Sequence, residues 1–280
     1  KKTMVVPSLR QASTIVLVRR AANEGYQVLM AKRSSKMKAF ASVYVFPGGV
    51  TEDVDQEIAN RYSPNDSRGK MKVTGIRELF EEAGVLLTKN SDNADLAHPV
   101  SAPEWQDKVH NDPGKFQSLL TSLNCEPAID SLEYIVTFTT PKMEKRRFDT
   151  RFFFSVVDDA SINIDGGETV EYKWITPIDA LRENKNGTMA FLPPQFYVLS
   201  LLSKYSDVDG LIHHFKNVAP PTPILPHSVG FENNVLSLCY PGDEEHPEYP
   251  GKAGDRRRLH CTMPMGSGGY RYEDNLASRL

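Results

Sequence analysis

One stretch constrains this chain more than any other: Arg77-Glu78-Leu79-Phe80-Glu81-Glu82-Ala83-Gly84-Val85. Ile76, Leu79, Phe80 and Ala83 recur at i, i+3, i+4 and i+7, which is one face of an α-helix. At about 100° per residue, Glu78, Glu81 and Glu82 fall in one arc on the other face. Carboxylates that close repel one another unless a cation lies between them. Donor sets built only from carboxylate oxygen suit Mg²⁺, Mn²⁺ or Ca²⁺. Gly84, just past the last apolar residue, predicts the helix end. The expected helix runs from about Lys70 to Ala83, with Ser67 as its cap. An acidic helical face taken alone is usually a solvated surface, so the rest of the pattern decides its meaning.

Residues 77–85 resemble the second half of the Nudix signature, Gly-x5-Glu-x7-Arg-Glu-U-x-Glu-Glu-x-Gly-U, where U is a bulky aliphatic residue. Upstream, Phe46-Pro47-Gly48-Gly49 resembles the way the signature usually begins. The family puts its Arg 14 positions after the signature Gly, whereas Arg77 comes 28 positions after Gly49, so the resemblance requires an insertion of 14 residues. Asp55 stands where the first Glu would fall. The region 51–69 is expected to be a surface excursion with a short helical turn at 54–61, near the rim of the site.

The resemblance implies an α/β/α sandwich around a mixed sheet. The catalytic domain would cover 10–215, and an irregular C-terminal extension, 216–280, would pack on it. The resemblance also implies hydrolysis of a diphosphate joined to another group, with Mg²⁺ or Mn²⁺ held by Glu78, Glu81 and Glu82. Arg77 would orient these carboxylates by a bidentate pair. Arg77, Glu78 and Glu82 are the expected catalytic residues of the helix. A further acid is expected from a downstream loop, where Glu168 and Glu171 are the candidates and Glu171 is preferred.

Residues 29–49 bear on the substrate. They resemble the segment Leu-Leu-Thr-x-Arg-Ser-x3-Arg-x3-Gly-x3-Phe-Pro-Gly-Gly of the coenzyme A diphosphatases in that family. Leu29, Arg33, Ser34 and Phe46-Pro47-Gly48-Gly49 agree in type and spacing, while Met30, Ala31, Lys38 and Ser42 agree in spacing only. Arg33 and Lys38 would face a ligand carrying several phosphates. The expected substrate-binding set is Arg33, Ser34, Lys38, Phe46, Gly48, Gly49 and Arg151. The implied substrates are CoA and acyl-CoA, cleaved to 3′,5′-ADP and (acyl-)4′-phosphopantetheine. Two alternatives stay open: a broader nucleotide diphosphatase acting on NADH, ADP-ribose or an RNA cap, and a Nudix-fold binding module without catalysis.

The remaining chain narrows partners and address. A net charge of −3 gives no support to nucleic-acid binding. No apolar run approaches the ~20 residues of a membrane span. Cys125, Cys239 and Cys261 form no disulfide framework and no metal-ligand spacing, which suggests a reducing compartment. Ser278-Arg279-Leu280 resembles the peroxisomal Ser-Lys-Leu tripeptide, which implies an import receptor as partner and a peroxisomal location. Apolar periodicity predicts strands at 13–20, 26–33, 43–46, 85–87, 132–139, 151–157 and 171–175. Helices are expected near 103–110, 114–123, 177–184 and 193–205. His213-His214 read as ordinary helix-end residues.

Overall fold

The computed structural model describes residues 8–21, 25–37, 41–90, 97–142, 144–164, 167–219, 221–265 and 268–276. Its central strand, β1 (Leu9–Arg20), sends alternate side chains into two separate cores. Ile15 and Leu17 point into one; Val16 and Val18 point into the other. β2 (Tyr26–Arg33) repeats the alternation, with Leu29 on the first side and Tyr26, Val28 and Met30 on the second. Strands buried on both faces need no polar side, which is why 13–20 and 26–33 read as nearly continuous apolar runs.

The chain continues through β3 (Tyr44–Val45), β4 (Gly48–Val50), α1 (Asp53–Tyr62) and α2 (Gly69–Ala83). A two-stranded antiparallel sheet, β5 (Val85–Lys89) and β6 (Ala97–Ser101), leads to α3 (Pro103–Asn111) and α4 (Lys115–Ser122). Then come β7 (Glu133–Thr139), β8 (Arg147–Val157) and β9 (Thr169–Ile175). The central sheet has the order β3-β2-β1-β8-β7, with β4 also on β1 and β9 also on β2. Only β1 and β8 pair in parallel within it, so the sheet is mixed as expected. α1 to α4 cover one face; α5 (Pro177–Lys185), α6 (Pro193–Leu202) and α7 (Val208–Asn217) cover the other. This is the α/β/α sandwich.

Three expectations need correction. The 51–69 region carries a helix, α1, where a helical turn was expected, but it is not a surface excursion: Val54, Ile58 and Ala59 are buried against α2 and α4. Its apolar spacing of i, i+4, i+5 gave it a buried face that its acidic residues obscured. The tail after 216 is not irregular. After α7 it forms an antiparallel sheet of β10 (His227–Glu232), β11 (Val235–Cys239), β12 (Arg257–Thr262) and β13 (Tyr270–Asp274). Leu238, Leu259 and Cys261 of this sheet, with Tyr240 just after β11, join the core under α5 and α6. Finally, Arg68 rather than Ser67 occupies the N-cap of α2, and no side chain caps it. Among the described residues, no helix is long and apolar enough to cross a membrane, and the cysteines are free.

Candidate active site

α2 lies on β1 because Gly75 lets it approach. A methyl group there would fall 2.7 Å from Ile15 Cδ1 and 3.0 Å from Ser13 Oγ. Its apolar face, Ile76, Leu79, Phe80 and Ala83, is fully buried. The opposite arc carries the acids. Gly84 ends the helix in the left-handed region, φ +69°, and its N–H donates to Phe80 O at 2.9 Å.

Arg77 organises the acids from inside the protein, with 1 % of it exposed. Its Nε and Nη2 donate to Asp55 Oδ1 and Oδ2 at 2.8 and 3.0 Å. Its Nη1 donates to Glu81 Oε1 at 2.8 Å and to Glu78 Oε1 at 2.9 Å. Nη2 also reaches Val50 O. Asp55 is fully buried and further accepts from Thr74 Oγ1 and from the Glu52 N–H. The bidentate partner of Arg77 is therefore Asp55, and sequence reasoning missed that role. The spacing from Gly49 to Asp55 is the signal that could have revealed it.

The two halves of the signature meet despite the intervening residues. Gly48 N–H donates to Glu82 Oε2 at 3.1 Å. A methyl group on Gly49 would fall 2.4 Å from Glu78 Oε2, so only glycine leaves room for that carboxylate. Burial raises the Glu78 carboxyl to about 7, with Arg77 pulling it back and Glu81 pushing it up. Burial raises Glu82 well above the usual carboxylate range, and Glu78 adds to it. Burial also raises Glu81, against the pull of Arg77. Acids that make each other hard to ionise are a natural cation site. Among the described residues, no group of three His, Cys, Asp or Glu side chains already converges as a complete cage. Mg²⁺ keeps several waters and takes only one or two carboxylates beside substrate phosphates. The oxygen-only set Glu78 and Glu82, with Glu81 beside them, fits such an ion.

The remaining expected residues divide. On β2, Arg33 shares the α2 side with Leu29, and its positive charge acts on Glu82. Its buried Nε has no hydrogen-bond partner. Ser34 is buried, and its N–H donates to Glu168 O at 2.7 Å. That bond brings the loop before β9 beside the carboxylates, where the charge of Glu168 raises Glu82. Glu171 is not brought there. On β9, Tyr172 and Trp174 face α2, while alternation turns Glu171 to the other side, where it bonds Tyr44 Oη at 3.0 Å and Lys32 Nζ at 3.5 Å. A register shift between Lys32 and Arg33 separates the two acids, a feature the sequence did not announce. Phe46 packs in the core under α5 and α6 rather than at the site. Arg151 pairs with Ser13 across β1 from Gly49, with Gly75 of α2 seated over Ser13 between them. It lies by Tyr134 and Arg68 instead. Lys38 and Ser278-Arg279-Leu280 lie outside the described residues.

Side chains that sequence reasoning did not single out enclose the end of α2. Gln106 and His110 of α3 both approach Glu81, through its carbonyl at 3.0 Å and its Oε2 at 4.0 Å. Tyr172 Oη donates to Glu82 O. A surface cavity of about 250 Å³, lined by Val85, Val100 and Asp159 among others, holds none of the helix carboxylates.

Residues 59–202 match the family model described as the NUDT19 Nudix domain. A putative nudix hydrolase 7 of Caenorhabditis elegans is 35% identical over 241 residues, 85% of this chain and 75% of that protein. An acyl-coenzyme A diphosphatase NUDT19 of Xenopus laevis is 28% identical over 289 residues, 85% of this chain and 76% of that one. The crystal structure of a NUDIX hydrolase from Alicyclobacillus acidocaldarius superposes with a TM-score of 0.68 at 25% identity, over 78% of this chain and 100% of that one.

Proposed function

The chain belongs to the Nudix hydrolase family, and from that premise we propose that it hydrolyses the diphosphate of CoA and acyl-CoA esters. The products would be 3′,5′-ADP and (acyl-)4′-phosphopantetheine, and the reaction would require Mg²⁺ or Mn²⁺. One observation carries the reading: Gly48 and Gly49, which end the CoA-diphosphatase-like segment, sit against Glu82 and Glu78. These contacts support reading the end of the substrate segment and the carboxylates as one site. The acyl-coenzyme A diphosphatase similar to this chain over 85% of its length supports the same substrate class.

Glu78 and Glu82 would hold the cation, with Glu81 as a third oxygen donor. When bound, the cation supplies Lewis acidity to the diphosphate oxygens and to the attacking water. Arg77 fixes Glu78 and Glu81 through one nitrogen and is itself anchored by Asp55. Arg33, with its unpartnered Nε, would take a phosphate oxygen and offset charge that builds during phosphoryl transfer. Glu168 is the acid whose position suits removal of the proton from the attacking water, in place of Glu171.

Incubation with CoA and Mg²⁺ in ¹⁸O-labelled water, followed by mass spectrometry, tests the reading. It calls for 3′,5′-ADP and 4′-phosphopantetheine with ¹⁸O in one of them. Slow CoA cleavage beside fast cleavage of NADH, ADP-ribose or a cap would replace it with the broader diphosphatase. The same reading carries a peroxisomal location through an import receptor that recognises Ser278-Arg279-Leu280. A fluorescent protein fused ahead of residue 1 should colocalise with peroxisomes and lose that pattern when the tripeptide is removed.

A further inference from the structure

The last carbonyls of a helix have no partner within it. In α2 these belong to the turn that carries Glu81 and Glu82. Three separate elements supply the missing donors. Gln106 Nε2 of α3 donates to Glu81 O at 3.0 Å. Tyr172 Oη of β9 donates to Glu82 O at 2.5 Å. The Asn163 N–H, from the loop after β8, donates to Ala83 O at 2.9 Å. Two of the three are locked together, since Asn163 Nδ2 donates to Gln106 Oε1 at 2.6 Å and Gln106 Nε2 to Asn163 O at 3.2 Å. Gly84 makes room for the lock: a methyl group there would fall 2.8 Å from Asn163 Cβ.

The choice of donors is informative. A helix carries roughly half a negative charge at its carbonyl end, and a Lys or Arg near that end commonly offsets it. The last turn of α2 has no basic residue. A cation there would pair with Glu81 or Glu82 and compete with a divalent ion. Neutral donors from an amide, a phenol and a peptide N–H draw off the carbonyl charge and add no second cation to the carboxylates that Arg77 already holds. They also hold the turn in one geometry while its acids ionise.

We infer that Gln106, Asn163 and Tyr172 are positioning residues that set the divalent-cation affinity of the α2 carboxylates. The inference rests on the cation reading given above. Tyr172→Phe deletes one donor, and Gln106→Leu removes the amide with its bonds to Glu81 O and Asn163; both keep the bulk. Gly84→Ala reaches the same lock by pushing Asn163 away. The test measures Mn²⁺ Kd by calorimetry on each full-length protein, with folding verified by circular dichroism, and then kcat and KM for CoA at saturating Mn²⁺. Mn²⁺ Kd should rise on the order of tenfold in all three. KM for CoA should stay within about twofold while kcat falls, because these groups hold the backbone of the turn that carries the carboxylates rather than substrate. Parental Mn²⁺ Kd in variants that only melt earlier would reduce the three residues to ordinary caps and overturn the inference. Glu82→Gln separates the two ideas. Lost affinity in Glu82→Gln beside parental affinity in the other variants sinks the inference alone. Parental affinity in Glu82→Gln, or no Mn²⁺ binding by the parent, sinks the cation reading and the inference with it.

Discussion

The guanidinium of Arg77 and the carboxylate of Asp55, 22 positions apart in sequence, face each other through two hydrogen bonds of 2.8 and 3.0 Å. Both groups are buried. Removing one partner of a buried pair leaves an uncompensated charge, at a cost of about 3 kcal/mol. Asp55→Asn should therefore lower the melting temperature by about 8 °C. Scanning calorimetry checks this, and an unchanged melting temperature would show that Glu78 and Glu81 suffice for Arg77.

Gly48 and Gly49 should behave differently on substitution. A methyl group at Gly49 meets the movable end of Glu78, so Gly49→Ala should fold with nearly parental stability. It should lose about a hundredfold in kcat, because it displaces a carboxylate by a fraction of an ångström to an ångström. A methyl group at Gly48 meets backbone, Ser13 O at 2.3 Å and Thr14 Cα at 2.7 Å, so Gly48→Ala should lose stability as well. Thermal melts beside steady-state kinetics separate the two, and equal melting losses would contradict the assignment.

The raised carboxyl of Glu78 sets a pH dependence. The metal-free folded protein retains a proton on Glu78 up to about 7, held there chiefly by burial, while the unfolded chain releases it near the ordinary glutamate value of 4.5. Between those values the folded state binds more protons, so stability falls as pH rises. Glu82, shifted in the same direction chiefly by burial, adds to the fall. Melting temperatures taken from pH 5 to pH 8 should decline without metal. Mn²⁺ should flatten the decline and release protons at pH 6, measurable by calorimetry in buffers of different ionisation enthalpy. Rising stability over that range would refute the assignment.

Glu168 and Glu171 should separate in kinetics. Glu168→Gln should lower kcat by 10²- to 10⁴-fold, in the range of a lost general base. Glu171→Gln, on the face with Tyr44 and Lys32, should stay within about threefold. The reverse result would make Glu171 the proton acceptor.

How much of this was legible in the sequence follows the range over which each signal acts. Apolar periodicity is local, and it gave β1, β2, the buried face of α2 and the strands of the mixed sheet other than β4. Gly84 announced the end of α2 for an equally local reason. The partners of α2 were not legible. Gln106 lies 25 positions from Glu81, and Tyr172 lies 90 positions from Glu82. Nothing near either residue hints at a helix end elsewhere. The misplacement of Glu171 has a more specific cause. Alternation sets Glu171 opposite Tyr172 and Trp174, but which face of β9 meets α2 is decided by its pairing with β2, a property of the pair of strands. Likewise, Arg151 keeps a suitable charge but lies across β1 from the acids, which only the pairing of β1 with β4 and β8 reveals.

The contact between Asp55 and Arg77 also explains how this chain tolerates a lengthened signature. Its ends are tied by a buried ion pair, so the distance travelled between them is free to vary. Twenty-one residues separate the two partners here, against seven between the Glu and Arg of the resembled pattern. Even as a flexible segment, tripling the connection costs only about 1 kcal/mol in chain entropy. The ion pair and the burial of Val54, Ile58 and Ala59 offset a cost of that size. Such a protein evolves like a purse held by its clasp: material can be added between the closures without loosening them. Patterns that count residues will overlook chains of this kind. Patterns that ask for an acid six positions past the glycine and an arginine that can reach it will find them.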